Sequence, residues 1–381
     1  MGATNSYDVT YVTIDSLSEG VGSSQIRPLI TRLSNAGLKV RLISFEKSEP
    51  SQDLQKQFGL LKVDWSFLPF DKGGTVGGIY RMSKLKRLLS KTSLIHARSD
   101  IPAVAGILSR EAPVLWDVRS LWADQKILIQ NNSLNRNLYY AYRSLESISS
   151  HGSLGMSTLT SAVVPVLEKR HKKLPKYRTV VPTTVDLGVF QLTSDLPTMP
   201  LALFSGTYNQ YYDLELSRNF MDAFRRLIPV ETHWARPHET PRALLNVGET
   251  RIFPSTQLHM ASIIPLYSFG VSICRNDVGV SLSAAVPTKI GEFLACGRPV
   301  VINKGLGDMD RFIKEYKIGV IVDGNLANLK EQAQELVDLI SDPETPQRCR
   351  NFAKLFFNMD IGADNYLDLY ARMLGSETRV P

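Results

Sequence analysis

Short apolar runs alternate along the chain with stretches whose apolar residues recur every three to four positions. Tyr7–Ile14 reads as a strand that stops at the turn Ser18-Glu19-Gly20-Val21-Gly22. Ser23–Ala36 reads as a helix with Ile26, Leu29, Ile30 and Leu33 on one face, and Gly37 is its stop signal. Strands are expected at Leu38–Phe45 and Leu60–Pro69, a basic helix at Val76–Ser90, a strand at Leu94–Ala97 and a helix at Ile101–Ser109. Pro113–Val118 reads as a strand, Ser133–Ser150 as a longer helix and Arg178–Pro182 as the strand that closes the first half. Thr183–Pro200 has few periodic apolar residues and holds Pro197 and Pro200, so it is expected to link two domains.

The alternation then restarts. Leu201–Ser205, Glu231–Ala235, Gly270–Cys274, Pro299–Asn303 and Gly319–Val322 read as strands. Asp213–Ile228, Pro287–Cys296, Asp308–Tyr316, Leu326–Ile340 and Asp360–Leu374 read as helices. Strand–helix alternation implies parallel sheets covered on both faces, so the fold class is α/β with two doubly wound domains. The expected division is 1–183, a linker at 184–200, a second domain at 201–358 and a closing segment at 359–381. Ligands of such sheets bind beyond the carboxyl ends of the strands, which makes a cleft between the two domains the expected site.

Charge sharpens this picture only after it is divided. The formal net charge of +7 resolves into +10 over residues 1–190 and −3 over residues 191–381. The basic clusters are Lys84-Leu85-Lys86-Arg87 and Lys169-Arg170-His171-Lys172-Lys173. No zinc-finger spacing, RNP-like strand or basic zipper accompanies them, so an anionic membrane surface or anionic ligand is expected rather than nucleic acid. A hydrophobic content of 43% excludes wholesale disorder. The longest charge-free run, near Ala261–Cys274, is broken by Pro265, Ser268 and Gly270 and falls short of the ~20 apolar residues a span needs. The first residues lack an apolar signal core, and Cys274, Cys296 and Cys349 form no CxxC, which suits a cytosolic protein with reduced thiols.

Three segments could carry chemistry. The first, Ser18–Gln25, places Gly20, Gly22 and Ser23 between strand and helix, where backbone N–H groups can approach a ligand; it is neither GxGxxG nor a Walker loop, and an ordinary turn explains it as well. The second, Trp116–Asp124, gathers Asp117, Arg119, Trp122 and Asp124 in one turn: Arg119 can hold a phosphate or carboxylate and Trp122 can stack on a sugar, or the Asp–Arg pair can brace the loop. The third, Val286–Val301, starts a helix at Pro287 with Thr288 as its expected cap, puts Lys289 in the first turn and Glu292 one turn on. Carboxylates at such positions can accept ribose hydroxyls. A surface Lys–Glu pair is the bland alternative. Tyr208, Tyr211 and Tyr212 can stack on a base or pack as a rim. His233 and His238 lack metal-site spacing, and Met1-Gly2-Ala3-Thr4-Asn5-Ser6 matches the short myristoylation pattern.

Glu292 within PTKIGEFLACGRPVV resembles the donor-binding motif of GT-B glycosyltransferases, family 4 in particular. SEGVGSSQIRPLITRLSNAGLKVRLISFE resembles the family's first strand, glycine loop and helix; VVPTTVDLGVF, GLGDMDRFIKEYKIGVIV and NYLDLYARML resemble later parts, the last being the helix that crosses back to the first domain. The resemblance implies two Rossmann-like domains facing across a cleft and transfer of a sugar, with retained configuration and no metal, from a nucleotide-diphosphate sugar to a glycan or lipid-linked acceptor. It implies donor binding by Gly20, Gly22, Ser23, Gly206, Arg275, Thr288, Lys289 and Glu292, acceptor binding by Arg119, Trp122 and Asp124, and a reacting centre around Asp117, Arg119 and Lys289. Three departures stand out. Ala284 takes the place of the family's first glutamate, Thr207–Asp213 lacks the usual Arg and Lys, and the Val114–Asp117 strand ends without the usual His. Arg275 and Lys289 are the candidate replacements for the missing cations. A nucleotide-sugar epimerase and a non-catalytic nucleotide-sugar-binding scaffold are the alternatives.

Overall fold

The computed structural model describes residues 7–375 except 71–72, 130–132, 194–196, 207, 210, 237–243, 245 and 254–255. The chain divides into two compact units, Met1–Val181 with Met359–Pro381, and Pro182–Asn358.

The first unit begins with β1 (Val9–Val12), buried at every position. A π-type turn at Gly22–Ile26 leads into α1 (Arg27–Asn35), which presents Leu29, Ile30 and Leu33 to the core. Then come β2 (Val40–Glu46), α2 (Gln52–Leu60), β3 (Asp64–Pro69), α3 (Gly74–Leu88), β4 (Ile95–Arg98), α4 (Asp100–Ser109) and β5 (Val114–Val118). α5 (Trp122–Ile129), α6 (Ser133–Gly152), β6 (Gly155–Thr158), α7 (Val164–His171) and β7 (Tyr177–Val180) complete this run. The seven strands order as β3-β2-β1-β4-β5-β6-β7, and every pairing is parallel. β1, β4, β5 and β6 are buried at all positions, as a sheet covered on both faces requires.

The second unit holds β8 (Leu201–Ser205), α8 (Leu214–Arg225), β9 (Glu231–Ala235), β10 (Glu249–Ile252), α9 (Gln257–Ile263) and β11 (Phe269–Ser272). α10 (Thr288–Ala295), β12 (Val300–Asn303), α11 (Met309–Tyr316), β13 (Gly319–Val322), α12 (Leu329–Ser341) and α13 (Thr345–Phe356) follow. Its strands order as β10-β9-β8-β11-β12-β13, again all parallel. Order reverses between β1 and β4 in one sheet and between β8 and β11 in the other, which is where doubly wound sheets open a crevice.

The last helix, α14 (Met359–Leu374), belongs to the first unit. Its Met359, Ala363, Tyr366, Leu367, Leu369, Tyr370 and Met373 are buried in one cluster with Val9, Tyr11, Leu29, Leu33 and Leu115. The segment expected as a linker is counted with the second unit. There Thr183 Oγ1 donates to the Val286 carbonyl at 3.0 Å, Val185 N–H donates to Phe357 at 2.7 Å, and Phe190 is fully buried.

Several elements differ from the sequence expectation. α1 starts at Arg27 rather than Ser23, because the preceding turn is wound as a π-type turn. Trp122–Asp124 opens a helix rather than completing a loop turn. Thr288 does not cap α10: Pro287 holds the cap position and no side chain bonds there. α2, β6, α7, β10, α9 and α13 had no counterpart in the expected pattern. The Gly2 pattern and His238 lie outside the described residues.

Gly20 and Gly22 serve different ends. Gly20 needs its φ of +52° and faces open space, whereas a Cβ on Gly22 would stand 1.8 Å from the Ser16 carbonyl oxygen. Gly20→Ala is therefore expected to cost about 1 kcal/mol of backbone strain. Gly22→Ala should cost clearly more, by displacing the loop. Urea midpoints of the two variants measure the difference.

Candidate functional site

The second unit buries a lysine ammonium without a hydrogen-bond partner near the carboxyl edge of its sheet. α10 exists because Ile290, Phe293 and Leu294 give it a buried face, and Gly297, at φ +79°, ends it. That packing leaves Lys289 and Glu292 on the other side of its first turns. Lys289 Nζ lies 4.1 Å from the Tyr208 ring centroid and 4.3 Å from that of Tyr212, so its ammonium rests between two aromatic faces. It is shut off from water and has no hydrogen-bond partner. Burial pushes its pKa down to about 7, against the opposing pull of Cys274 and Glu292. Burial likewise pushes the Glu292 carboxyl up to about 7, with Lys289 acting the other way.

Gly206 closes this corner. It follows β8 with φ +94°, its N–H donates to the Ala235 carbonyl at 2.9 Å, and a Cβ there would stand 3.6 Å from Lys289 Nζ. The first N–H groups of α10 have no intrahelical acceptor and favour an anion. Gly206, Lys289, Glu292 and the start of α10, including Thr288, are thus drawn together around β8. Arg275 is engaged elsewhere: its Nε donates to Asp277 Oδ1 at 2.8 Å and its Nη2 also meets that carboxylate. Ala284 is buried, with 2% of its surface exposed.

In the first unit the expected residues are bound into networks. Asp117 ends β5 with no exposed surface. Ser157 Oγ donates to its Oδ1 at 2.8 Å, Tyr366 Oη at 3.2 Å and Arg119 Nη1 at 3.3 Å. His96 Nε2 and Arg98 Nη1 approach its Oδ2 at 3.5 and 3.6 Å. Burial alone would raise its pKa, but Arg119, His96 and Arg98 hold the carboxyl well below the usual carboxylate range. Arg119 Nη1 also donates to Val181 O and Tyr366 Oη, each at 3.3 Å. Asp124 receives both Arg170 Nη1 and Nη2 at 2.9 Å, and Arg170 continues to Glu146. Trp122 packs its ring on Tyr142, centroids 4.5 Å apart. The glycine loop is held by Glu46, which accepts from Ser16 Oγ, Leu17 N and Ser44 Oγ at 2.5, 3.0 and 2.6 Å. Ser23 Oγ donates to Gly20 O at 2.9 Å.

Sequence reasoning missed Glu46, His96 and Arg98. The available signal was a charged residue at the carboxyl end of a strand, at Glu46 and again at Arg98.

No family model matches the chain, and no curated protein matches it. Solved structures do. Sucrose-phosphate synthase from Thermosynechococcus elongatus superposes with a TM-score of 0.70 at 14% identity, over 96% of this chain and 99% of that one. HepE from Anabaena, in complex with UDP and glucose, gives 0.66 at 12% over 96% and 99%. A Listeria monocytogenes protein assigned as a UDP-N-acetylglucosamine 2-epimerase gives 0.59 at 12% over 98% and 97%. At such identities the likeness is one of fold: the chain has the two-domain α/β fold of these proteins, the GT-B fold.

The two charged centres should respond oppositely to mutation. Asp117→Ala strands buried Arg98, Arg119 and His96, and breaking a buried pair typically costs ~3–5 kcal/mol. Lys289→Met removes a buried ammonium that has no partner, so it should raise the melting temperature of the free protein. The cost of Lys289 is complete below its folded pKa of about 7 and fades as pH rises toward its ordinary value of 10.5. The gain should therefore be largest at pH 6, where Glu292 is mostly protonated, and smaller at pH 9; calorimetry at both pH values checks this.

Proposed function

We propose that the chain is a glycosyltransferase that uses a nucleotide-diphosphate sugar, retains the anomeric configuration and delivers the sugar to a glycan or lipid-linked acceptor. One observation carries the reading. A buried ammonium without a hydrogen-bond partner stands beside a side-chain-free Gly206, and one turn along its helix is a carboxylate, Glu292, that accepts no hydrogen bond from the described residues. A nucleotide-diphosphate sugar has the complementary parts. Its phosphates suit Lys289 and the N–H groups at Thr288 and Lys289, and its ribose hydroxyls suit Glu292.

The chemistry follows from charge. The leaving group is a nucleoside diphosphate, so negative charge grows on the phosphates as the glycosidic bond breaks. An ammonium and a helix N-terminus already in place stabilise that charge, and loss of one such donor costs ~10²–10³ in rate in other enzymes. The same cations are expected to serve without a metal ion. The Gly20–Ser23 loop is assigned to the donor as well. Arg119, Trp122 and Asp124 line the acceptor side in this reading, with Asp117 fixing Arg119 and Arg170 fixing Asp124.

A membrane-borne acceptor fits α3. Val76 is 70% exposed and Ile79 60%, Tyr80 lies beside them, and Lys84, Lys86 and Arg87 follow along the helix. Apolar residues that enter an interface and cations that meet anionic headgroups suit peripheral binding at the inner membrane face. No described helix is long and apolar enough to cross a membrane.

Melting temperatures with UDP, GDP, ADP and their sugars, for wild type and Glu292→Ala, test the donor. A ligand at 100 times its Kd adds ~2.7 kcal/mol, which is a shift of several degrees. One base series should stabilise wild type, and the shift should vanish in Glu292→Ala. No shift with any nucleotide would sink the donor assignment. Binding without release of nucleoside diphosphate, whatever the acceptor, would favour the scaffold, and interconversion of free nucleotide-sugars the epimerase.

Vesicle flotation tests α3. Wild type should float with vesicles containing phosphatidylglycerol and much less with pure phosphatidylcholine. Val76→Asp with Ile79→Asp should abolish flotation while leaving the nucleotide shift intact.

A further inference from the structure

Among the described residues, four arginines are at least nine-tenths buried: Arg81, Arg98, Arg236 and Arg298. Three have evident partners. Arg81 lies over the Phe70 ring at 4.1 Å, Arg98 meets Asp15 and Asp117, and Arg298 donates to Pro265 O at 2.7 Å. Arg236 has none. It is 6% exposed, and its Nε and Nη1 are shut off from water without any hydrogen bond or ion pair. Buried N–H groups without partners are a cost that the described residues do not offset.

Its position suggests what compensates it. Ser205 pairs with Ala235 in the parallel ladder of β8 and β9, so Gly206 and Arg236 are the next residues on neighbouring strands. The Gly206 N–H donates to Ala235 O at 2.9 Å, and a Cβ on Gly206 would stand 3.6 Å from Lys289 Nζ. Two residues from different elements, each with a buried cationic nitrogen that has no hydrogen bond, therefore neighbour one residue that has no side chain, at the carboxyl edge beside the point where strand order reverses.

We infer that Arg236 is a diphosphate-binding residue that shares a single pyrophosphate group with Lys289, in place of the cations missing from residues 207–213. The identity of the ligand as a nucleotide rests on the function proposed above; the anion site itself does not. Arginine binds two phosphate oxygens through one planar fork, and lysine adds a point charge. Together they favour two linked phosphates over one.

Isothermal titration of the full chain with inorganic pyrophosphate, orthophosphate and UDP, GDP and ADP tests this. Wild type should bind pyrophosphate more tightly than orthophosphate. Arg236→Gln should weaken pyrophosphate and the bound nucleoside diphosphate by about tenfold or more, and should erase the preference over orthophosphate. A merely structural role would lower both anions by the same factor and would overturn the assignment. Unchanged pyrophosphate affinity in Arg236→Gln would overturn it too, while Glu292-dependent nucleotide binding left the donor reading standing. Arg236-dependent pyrophosphate binding without any nucleotide binding would uphold the anion site and remove the nucleotide. No pyrophosphate binding by wild type would overturn the inference. If Arg236→Gln does not fold, Arg236→Lys is read instead: it keeps the charge, loses the fork and should still lose most of the preference, and a preference equal to wild type would overturn the assignment.

Discussion

The first unit depends on a carboxylate with no water around it. Asp117 stands at the carboxyl end of β5 and gathers Ser157 from β6, His96 and Arg98 from β4, Arg119 from the following loop and Tyr366 from α14. Arg98 carries the connection on to Asp15, where β1 runs into the glycine loop. Each member is a cost when buried alone and is tolerable only because the others are present. The loop that follows β1, the centre of the sheet and the last helix are thus fixed by one linked set of charges.

The second unit shows the complementary condition. Lys289 Nζ, between two aromatic rings, and Arg236 Nε and Nη1 have no hydrogen-bond partner among the described residues, and Glu292 accepts no hydrogen bond from them. Asp117 has two arginines and a histidine within 4 Å, whereas Lys289 and Arg236 have no such ion pair among the described residues. On the function proposed above, that difference separates charges that hold a fold from charges that bind a ligand.

Much of this architecture was legible in the residues. Parallel buried strands read as apolar runs, so β8, β9 and β13 were legible to the residue, and α14 was legible from the spacing of Ala363, Tyr366, Leu367, Tyr370 and Met373. α2 escaped because only Leu54 and Phe58 are buried on it, too few to set a period. β6 escaped because Gly155-Met156-Ser157-Thr158 carries one large apolar side chain and is buried by its neighbours. In the site, Lys289 and Glu292 were legible from their spacing at a helix start. Arg236 was not, because isolation from partners is a property of the surroundings and leaves no mark on sequence. Asp117 was legible as charged and special, but its company comes from residues as distant as Tyr366.

The return of α14 to the first unit also governs the order of events during synthesis. Residues up to Val181 emerge from the ribosome without the seven buried side chains that Met359–Met373 contribute to their core. The second unit is uninterrupted in sequence and can close as soon as Asn358 is free. Until then the earlier half of the chain has Tyr11 and Leu115 incompletely covered and Asp117 short of the Tyr366 hydroxyl. Vectorial synthesis usually lets the N-terminal domain complete first, but in this topology its core can be completed only after the second unit has been made.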